Sequence, residues 1–401
     1  MHRGRRGGPE LQGPAGRGVS ERRVRLARVW LNRVAEPPAP ALAALVESEG
    51  PVAAARAVAA GEVPSAVTAE TAARRGEDRA EADLAAAEAL GGRFVVPEDQ
   101  EWPAWAFAAY RTPPAWADDR LCEPLGLWVR GTMPVDEVAD AAVAVVGARA
   151  ATGYGEHVAA DFGLGLAERG LAVVSGAAFG IDGAAHRGAL AGDGVTAAVL
   201  ACGLDHCYPA GHAGLFDRIA SQGAVVTEYP PGVRPARHRF LVRNGIIAAL
   251  SGGTVVVEAG ARSGARRTAG LAAVLGRVVM AVPGPVTSVM SVGCHELLRD
   301  EHAVLVTRVE EIAEAVGRIG ADLATPRPSP TRPTDGLSAE QAAVYEALPA
   351  RAGRYEGRLA RDSGVPVDRV RAVLPLLELQ GLVRAGTQGW RRTPPPGRGG
   401  A

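Results

Sequence analysis

The sequence predicts an α/β protein, a doubly wound parallel sheet flanked by a small N-terminal helical region and a C-terminal helix-turn-helix variant. Three observations predict it. Between Ala141 and Val316 the runs AVAVVG, LAVVSG, TAAVLACG, AVVTEYP, GTVVVEA and RVVMAVPG are short and valine-rich. Most close on Gly or Pro and lead into an amphipathic stretch, the pattern of parallel strands buried by helices on both faces. Ahead of them the chain is alanine-rich with helical spacing, and behind them a Pro-rich linker precedes a compact helical unit.

In chain order, residues 1–18 are Gly/Arg/Pro-rich without periodicity and are expected to be a disordered tail. Residues 19–95 read as several short helices, broken at Pro37-Pro38, Gly50-Pro51 and Gly61. The α/β region is expected over 96–320. It opens with an entry strand and a connector to Glu137 whose Trp102, Trp105, Trp116 and Trp128 are expected to anchor against the sheet. A Pro/Ser/Thr/Arg linker covers 321–336. Residues 337–393 begin with a helix capped by Ser338 with Gln341 at its third position. A helix over Glu356–Ser363, a third helix and a Gly-containing hairpin follow, which is the order of a winged helix. Residues 394–401 are expected to form a second disordered tail.

At 401 residues, two or three domains are expected. With 47% hydrophobic but only 4% aromatic residues, the core must be built mostly of Ala, Val and Leu. All 44 basic residues are arginine, so any permanently charged phosphate contact is a guanidinium, whose planar fork suits bidentate binding. The formal net charge is zero, which leaves room for local basic patches. Cys122, Cys202, Cys207 and Cys294 form no CxxC pair, and with His206 and His212 they match no standard zinc spacing, so neither metal nor cofactor is expected. No apolar leader or membrane span is evident, and a cytoplasmic protein is expected.

The block Arg239–Ala269 carries the most chemistry. A strand of valines ending in Glu258, followed by Ser263-Gly264 opening a helix, describes a Rossmann-like binding edge. Arg234, Arg237, Arg239, Arg243 and Asn244 precede it, and Arg262, Arg266 and Arg267 follow. Phe240 and Tyr208 offer rings for stacking. This pattern fits phosphate-backbone contact better than arginines paired to Glu228, Glu258 or Asp300. The first strand ends at Gly147, Arg149, Thr152 and Gly153, which place a backbone approach and a guanidinium over the same edge without forming GxGxxG. The second ends at Ser175-Gly176. Asp182 and His186 after it are four apart and could hydrogen-bond, but the pair lacks a nucleophile elbow and reads as structural capping.

These motifs, with GLDHCYPAGH, Arg243-Asn244-Gly245, VVVEAGARSGARRTA, VPGP and SVGCHELL in order, resemble the DNA-processing protein DprA (Smf) family. The resemblance implies a SAM-like fold for residues 19–95, a Rossmann-like domain and a winged helix. It further implies single-stranded DNA binding, homodimerisation, protection of incoming DNA and loading of RecA recombinase in natural transformation or recombination, with no catalysis. DNA contact is carried over to Arg149, Arg243 and Asn244. Together with the residue reading, the expected site is Gly147, Arg149, Thr152, Ser175, Gly176, Arg237, Arg239, Phe240, Arg243, Asn244, Ser263, Gly264, Arg266 and Arg267. Departures from the family pattern are His212 and His295 where asparagine is common, and Phe240-Leu241-Val242-Arg243-Asn244-Gly245, which lacks a proline and an arginine. A second reading, a phosphoribohydrolase of the lysine-decarboxylase-like type, comes from Gly252-Gly253-Thr254 and Glu258, which resemble that group's GGxGT…E pattern less one glycine. A third makes the winged helix a sequence-specific repressor, although its third helix mixes Arg369 and Arg371 with Asp368, Pro375 and Glu378.

Overall fold

A computed structural model describes residues 14–300, 303–317, 323–324 and 334–393. The expected linker and tails lie largely outside these residues. Where the first tail enters them, helix α1 (Pro14–Val34) has already begun, so residues 14–18 are helical. The chain divides into two compact units, one on each side of Ala324 and Thr325.

The first unit is built on one nine-stranded sheet of order β1-β2-β6-β5-β4-β3-β7-β8-β9. All six valine-rich runs become strands: β3 (Ala142–Val146), β4 (Ala172–Ser175), β5 (Thr196–Val199), β6 (Ala224–Thr227), β7 (Gly253–Val256) and β8 (Val278–Ala281). They pair in parallel, as does the short edge strand β9 (Val304–Leu305). Five of the six are buried along their whole length, because helices cover both faces. The covering helices are α9 (Gly153–Ala167), α10 (Ile181–Ala191), α11 (Ala213–Gln222), α12 (Arg237–Ala249), α13 (Gly264–Val274), α14 (Val292–Asp300) and α15 (Val309–Val316). Small residues let α9 and α10 touch: a Cβ at Gly163 would stand 2.2 Å from the Ala185 carbonyl oxygen.

The sheet is not purely parallel. β2 (Leu127–Gly131) adds antiparallel to β6, and β1 (Gly92–Val95) adds antiparallel to β2. Helices α2 (Pro40–Glu49), α3 (Pro51–Ala60), α4 (Ser65–Thr71) and α5 (Ala80–Ala89) join α1 on this edge. Buried Trp128 stacks on Phe94 at 4.5 Å and donates its indole N–H to Asn32 Oδ1 at 2.9 Å. Asn32 in turn donates to the Glu228 carbonyl, and Arg33 reaches both Asp83 and the Pro231 carbonyl. The N-terminal helices are therefore bonded into the sheet edge. Trp102 is buried against Phe107, but Trp105 and Trp116 are 68% and 72% exposed, so two of the four expected anchors do not anchor. The connector's short helices are α6 (Ala104–Phe107), α7 (Pro113–Trp116) and α8 (Val135–Asp140). Among the described residues no helix is long and apolar enough to cross a membrane.

The second unit is a winged helix: α16 (Ala339–Ala347), α17 (Glu356–Ser363) and α18 (Val367–Leu379), then the hairpin β10 (Val383–Gly386) and β11 (Gly389–Arg392). Ser338 and Gln341 form the reciprocal capping box. Val344, Leu359, Val370, Leu374 and Leu377 make the core. Arg369 of the third helix pairs with Glu340 at 2.7 Å and Arg371 with Glu356 at 3.4 Å.

One ion cluster ties the N-terminal helices to α12. Glu36 accepts from Arg239 at 2.7 Å, His238 at 3.0 Å and Arg74 at 2.6 Å. Burial works to raise its pKa, but the bonds from Arg239 and His238 and the nearby positive charges prevail and hold it down to about 2. A depressed carboxylate contributes stability above its unfolded pKa and loses it as pH falls through the folded value. Thermal unfolding should therefore show stability declining between about pH 4.5 and 2. Glu36→Gln should be less stable at neutral pH and flatter across that window.

Candidate nucleic-acid interface

Strand order sets the position of the site. β4, β5 and β6 lie on one side of β3, and β7, β8 and β9 on the other, so the loops leaving the carboxyl ends of β3 and β7 diverge. A cleft of about 760 Å³ opens there, with Arg149, Tyr208, Phe240, Arg243, Asn244 and Ser263 among its lining residues.

Arg243 and Asn244 form the floor. Both are buried, Arg243 to 4% exposure, and Arg243 Nη1 donates to the Val199 carbonyl at 3.1 Å. The guanidinium lies flat over Gly176, where a Cβ would stand 1.4 Å from Nη1. Burial lowers the pKa of Arg243 against the attraction of Asp182, and burial raises that of Asp182 against the attraction of Arg243 and backbone N–H groups. Arg243 Nε is buried without a hydrogen-bond partner among the described residues.

Phe240, one helical turn before Arg243, forms the wall. Its ring meets Tyr208 at 5.4 Å and lies under the guanidinium of Arg149 at 4.7 Å. Arg149 and Tyr208 are exposed, and Phe240 is half-buried. Arg237 lines the same wall from the first position of α12. On the opposite lip Ser263 caps α13, accepting from Ala265 N–H at 3.0 Å, and Gly264 opens the helix with free space where a side chain would stand. Arg262 and Arg267 flank it.

Five expected residues serve other purposes. Ser175 is fully buried and donates to the Val145 carbonyl at 2.6 Å. Thr152 caps α9 and turns from the cleft: its N–H and hydroxyl donate to Glu258 at 2.9 and 2.6 Å. Gly147 makes room for Ile181, whose Cγ1 would stand 2.5 Å from a Cβ; it still lines the cleft. Arg239 forks onto Glu36, and Arg266 pairs with Glu296 and the Ala261 carbonyl. The latter two are structural because a carboxylate stands within reach of each.

Asp182 and His186 do not pair. Thr196 spends its proton on the Val173 carbonyl, so His186 Nδ1 donates to Thr196 at 2.7 Å. Burial, helped by the charges of His212, Arg243 and Arg187, holds the imidazole neutral with a pKa down to about 3. Among the arginine partners weighed from sequence, Glu228 is buried and pushed up to about 8, so it is uncharged at neutral pH. The departures His212 and His295 bond to the carbonyls of Ala177 and Gly284, each at 3.0 Å. Gly252-Gly253 lies at the amino end of β7, across the sheet from Glu258, whose carboxylate Thr152 already occupies. The phosphoribohydrolase pattern is therefore not assembled in space.

Sequence reasoning left Glu258 without its role as anchor of the Arg149 turn; it weighed Arg262 for phosphate contact and Tyr208 for stacking without carrying either into the expected set of site residues. Strand order would have revealed the first, since β3 and β7 are parallel neighbours ending side by side.

Comparison with known proteins agrees with this architecture. The family described as DNA recombination-mediator protein A matches residues 93–317, and the DprA winged helix domain matches residues 328–389. A putative DNA processing protein DprA of Mycobacterium tuberculosis is 54% identical over 367 residues, 91% of this chain and 94% of that protein. Protein Smf of Escherichia coli is 47% identical over 173 residues, covering 43% of this chain and 46% of its own. The X-ray structure of DNA processing protein A from Streptococcus pneumoniae superposes with a TM-score of 0.53 at 34% identity, over 60% of this chain and 78% of that one. The α/β region and the winged helix are each matched, and the identity to one relative extends along nearly the whole sequence; the chain belongs to the DprA family of DNA recombination mediators.

Proposed function

We propose that the cleft binds single-stranded DNA and that the protein acts on it by binding and handing over, not by breaking bonds. The observation that carries this is the contrast among the arginines. Arg149, Arg237, Arg262 and Arg267 line the cleft and have no ion-pair partner among the described residues, whereas Arg239 and Arg266 are committed to carboxylates. Unpaired guanidinia beside partly exposed Phe240 and Tyr208 suit a strand that offers phosphates and unstacked base faces together. A duplex keeps those faces stacked.

The family reading adds three partnerships. It makes the protein a cytoplasmic guardian of incoming single strands, a loader of RecA onto them, and a homodimer. For the last, β9 is the outermost strand at its end of the sheet among the described residues, and its Val304 and Leu305 are about half exposed. Loading is tested by RecA nucleation on strands coated with single-strand binding protein, with and without this chain.

Anisotropy titration of a labelled single strand across a salt series tests the cleft. Arg149→Ala and Arg243→Ala should each weaken binding about tenfold or more. Loss of Arg262 or Arg267 should lower the salt slope by about 0.7 per phosphate contact. Equal affinity of the Arg149→Ala/Arg243→Ala double variant and the parent would sink the reading. Arg239→Ala should leave the salt slope unchanged and lower the unfolding temperature. Gly176→Ala should mimic Arg243→Ala, because the new methyl displaces the buried guanidinium. Incubation with nucleoside monophosphates should release no free base, read by chromatography.

A further inference from the structure

A second cleft, of about 440 Å³, opens at the opposite end of the sheet, where β3 and β7 begin. Four helices finish around it: α8 just before Ala141, α9 before Gly170, α12 before Leu250 and α15 before Gly317. Helix C-termini bring unpaired carbonyl oxygens and negative partial charge, which disfavour a phosphate and welcome hydrogen-bond donors.

Two arginines offset part of that charge. Arg169 pairs with Glu310 and donates to the Gly165 carbonyl at 3.0 Å. Arg277 donates from Nη2 to the carbonyls of Ala106 at 2.8 Å and Ala249 at 3.1 Å. Its Nη1 group makes no hydrogen bond among the described residues and, unlike the buried Nε, is not shut away from a ligand. A guanidinium edge with unused donors is suited to a planar acceptor lying in its plane. The indole of Trp105 lies 5.4 Å from that guanidinium with most of its surface in water.

A flat exposed ring, an orphan N–H and a cluster of carbonyls together suit a neutral planar heterocycle that both accepts and donates. We propose that this cleft binds a nucleobase, stacked on Trp105 and accepting from Arg277 Nη1. The base comes either as a free nucleoside or as part of a DNA strand. Only the strand source relies on the DNA-binding reading of the first cleft.

The test is calorimetric titration of the full chain with adenosine, guanosine, cytidine and thymidine. It is joined to photocrosslinking of a 4-thiothymidine oligonucleotide, mapped by mass spectrometry. Stacking on one aromatic ring predicts about a tenfold loss of affinity in Trp105→Ala. Binding should persist in Trp105→Phe, and nucleoside binding should persist in the Arg149→Ala/Arg243→Ala double variant. Nucleoside heat that Trp105→Ala diminishes assigns a free ligand. Absence of heat with a crosslink at Trp105 assigns a strand base. Neither heat nor crosslink, or heat that Trp105→Ala leaves unchanged, overturns the proposal.

Discussion

A guanidinium cannot readily shed its charge, and burying one under the cleft constrains everything around it. Arg243 needs a carbonyl, a nearby carboxylate and a floor without a side chain, and it finds Val199, Asp182 and Gly176. Those three belong to the ends of β5, α10 and β4, so one charge locks α12 to two strands and a helix. Phe240 sits three residues earlier on the same helical face, so the same lock holds its ring at the cleft wall. The attraction between Arg243 and Asp182 offsets part of the cost of removing both from water.

Carboxylates sort the remaining arginines. In sequence, six others cluster with Arg243 around one Gly-rich edge and look alike. In space, Glu36 claims Arg239 and Glu296 claims Arg266, while the guanidinia on the rim keep their donors for solvent or a ligand. Glu36 is some two hundred residues from Arg239 in the chain, which is why local reading could not separate structural from available charge.

The parallel part of the sheet was legible because its signal is local: most of those strands are valine-rich runs that stop at a Gly or Pro. The capping box of α16 and the bounds of α17 were legible for the same reason. Two parts of the cleft floor were legible too, a strand-end Gly and an Arg-Asn pair that runs straight into an apolar helical stretch. What sequence could not carry was pairing across the fold. Thr152 looks like a ligand contact until Glu258 arrives from the neighbouring strand. Ser175 looks available until Val145 accepts its proton. Trp105 and Trp116 look like anchors because aromatic rings are usually buried, and only the packing of the connector shows that theirs are not.

Glu258 also changes what kind of ligand the first cleft can favour. By taking the N–H and hydroxyl of Thr152 at the start of α9, it supplies the anion that the helix dipole would otherwise recruit. A lone phosphate thus loses the strongest single seat a Rossmann-like edge usually offers. What remains is a spread of guanidinia, each weak alone in physiological salt. In the proposed role, linked phosphates would engage them in turn, each bound unit raising the effective concentration of the next, so such an arrangement would reward length and discriminate polymer from monomer by avidity.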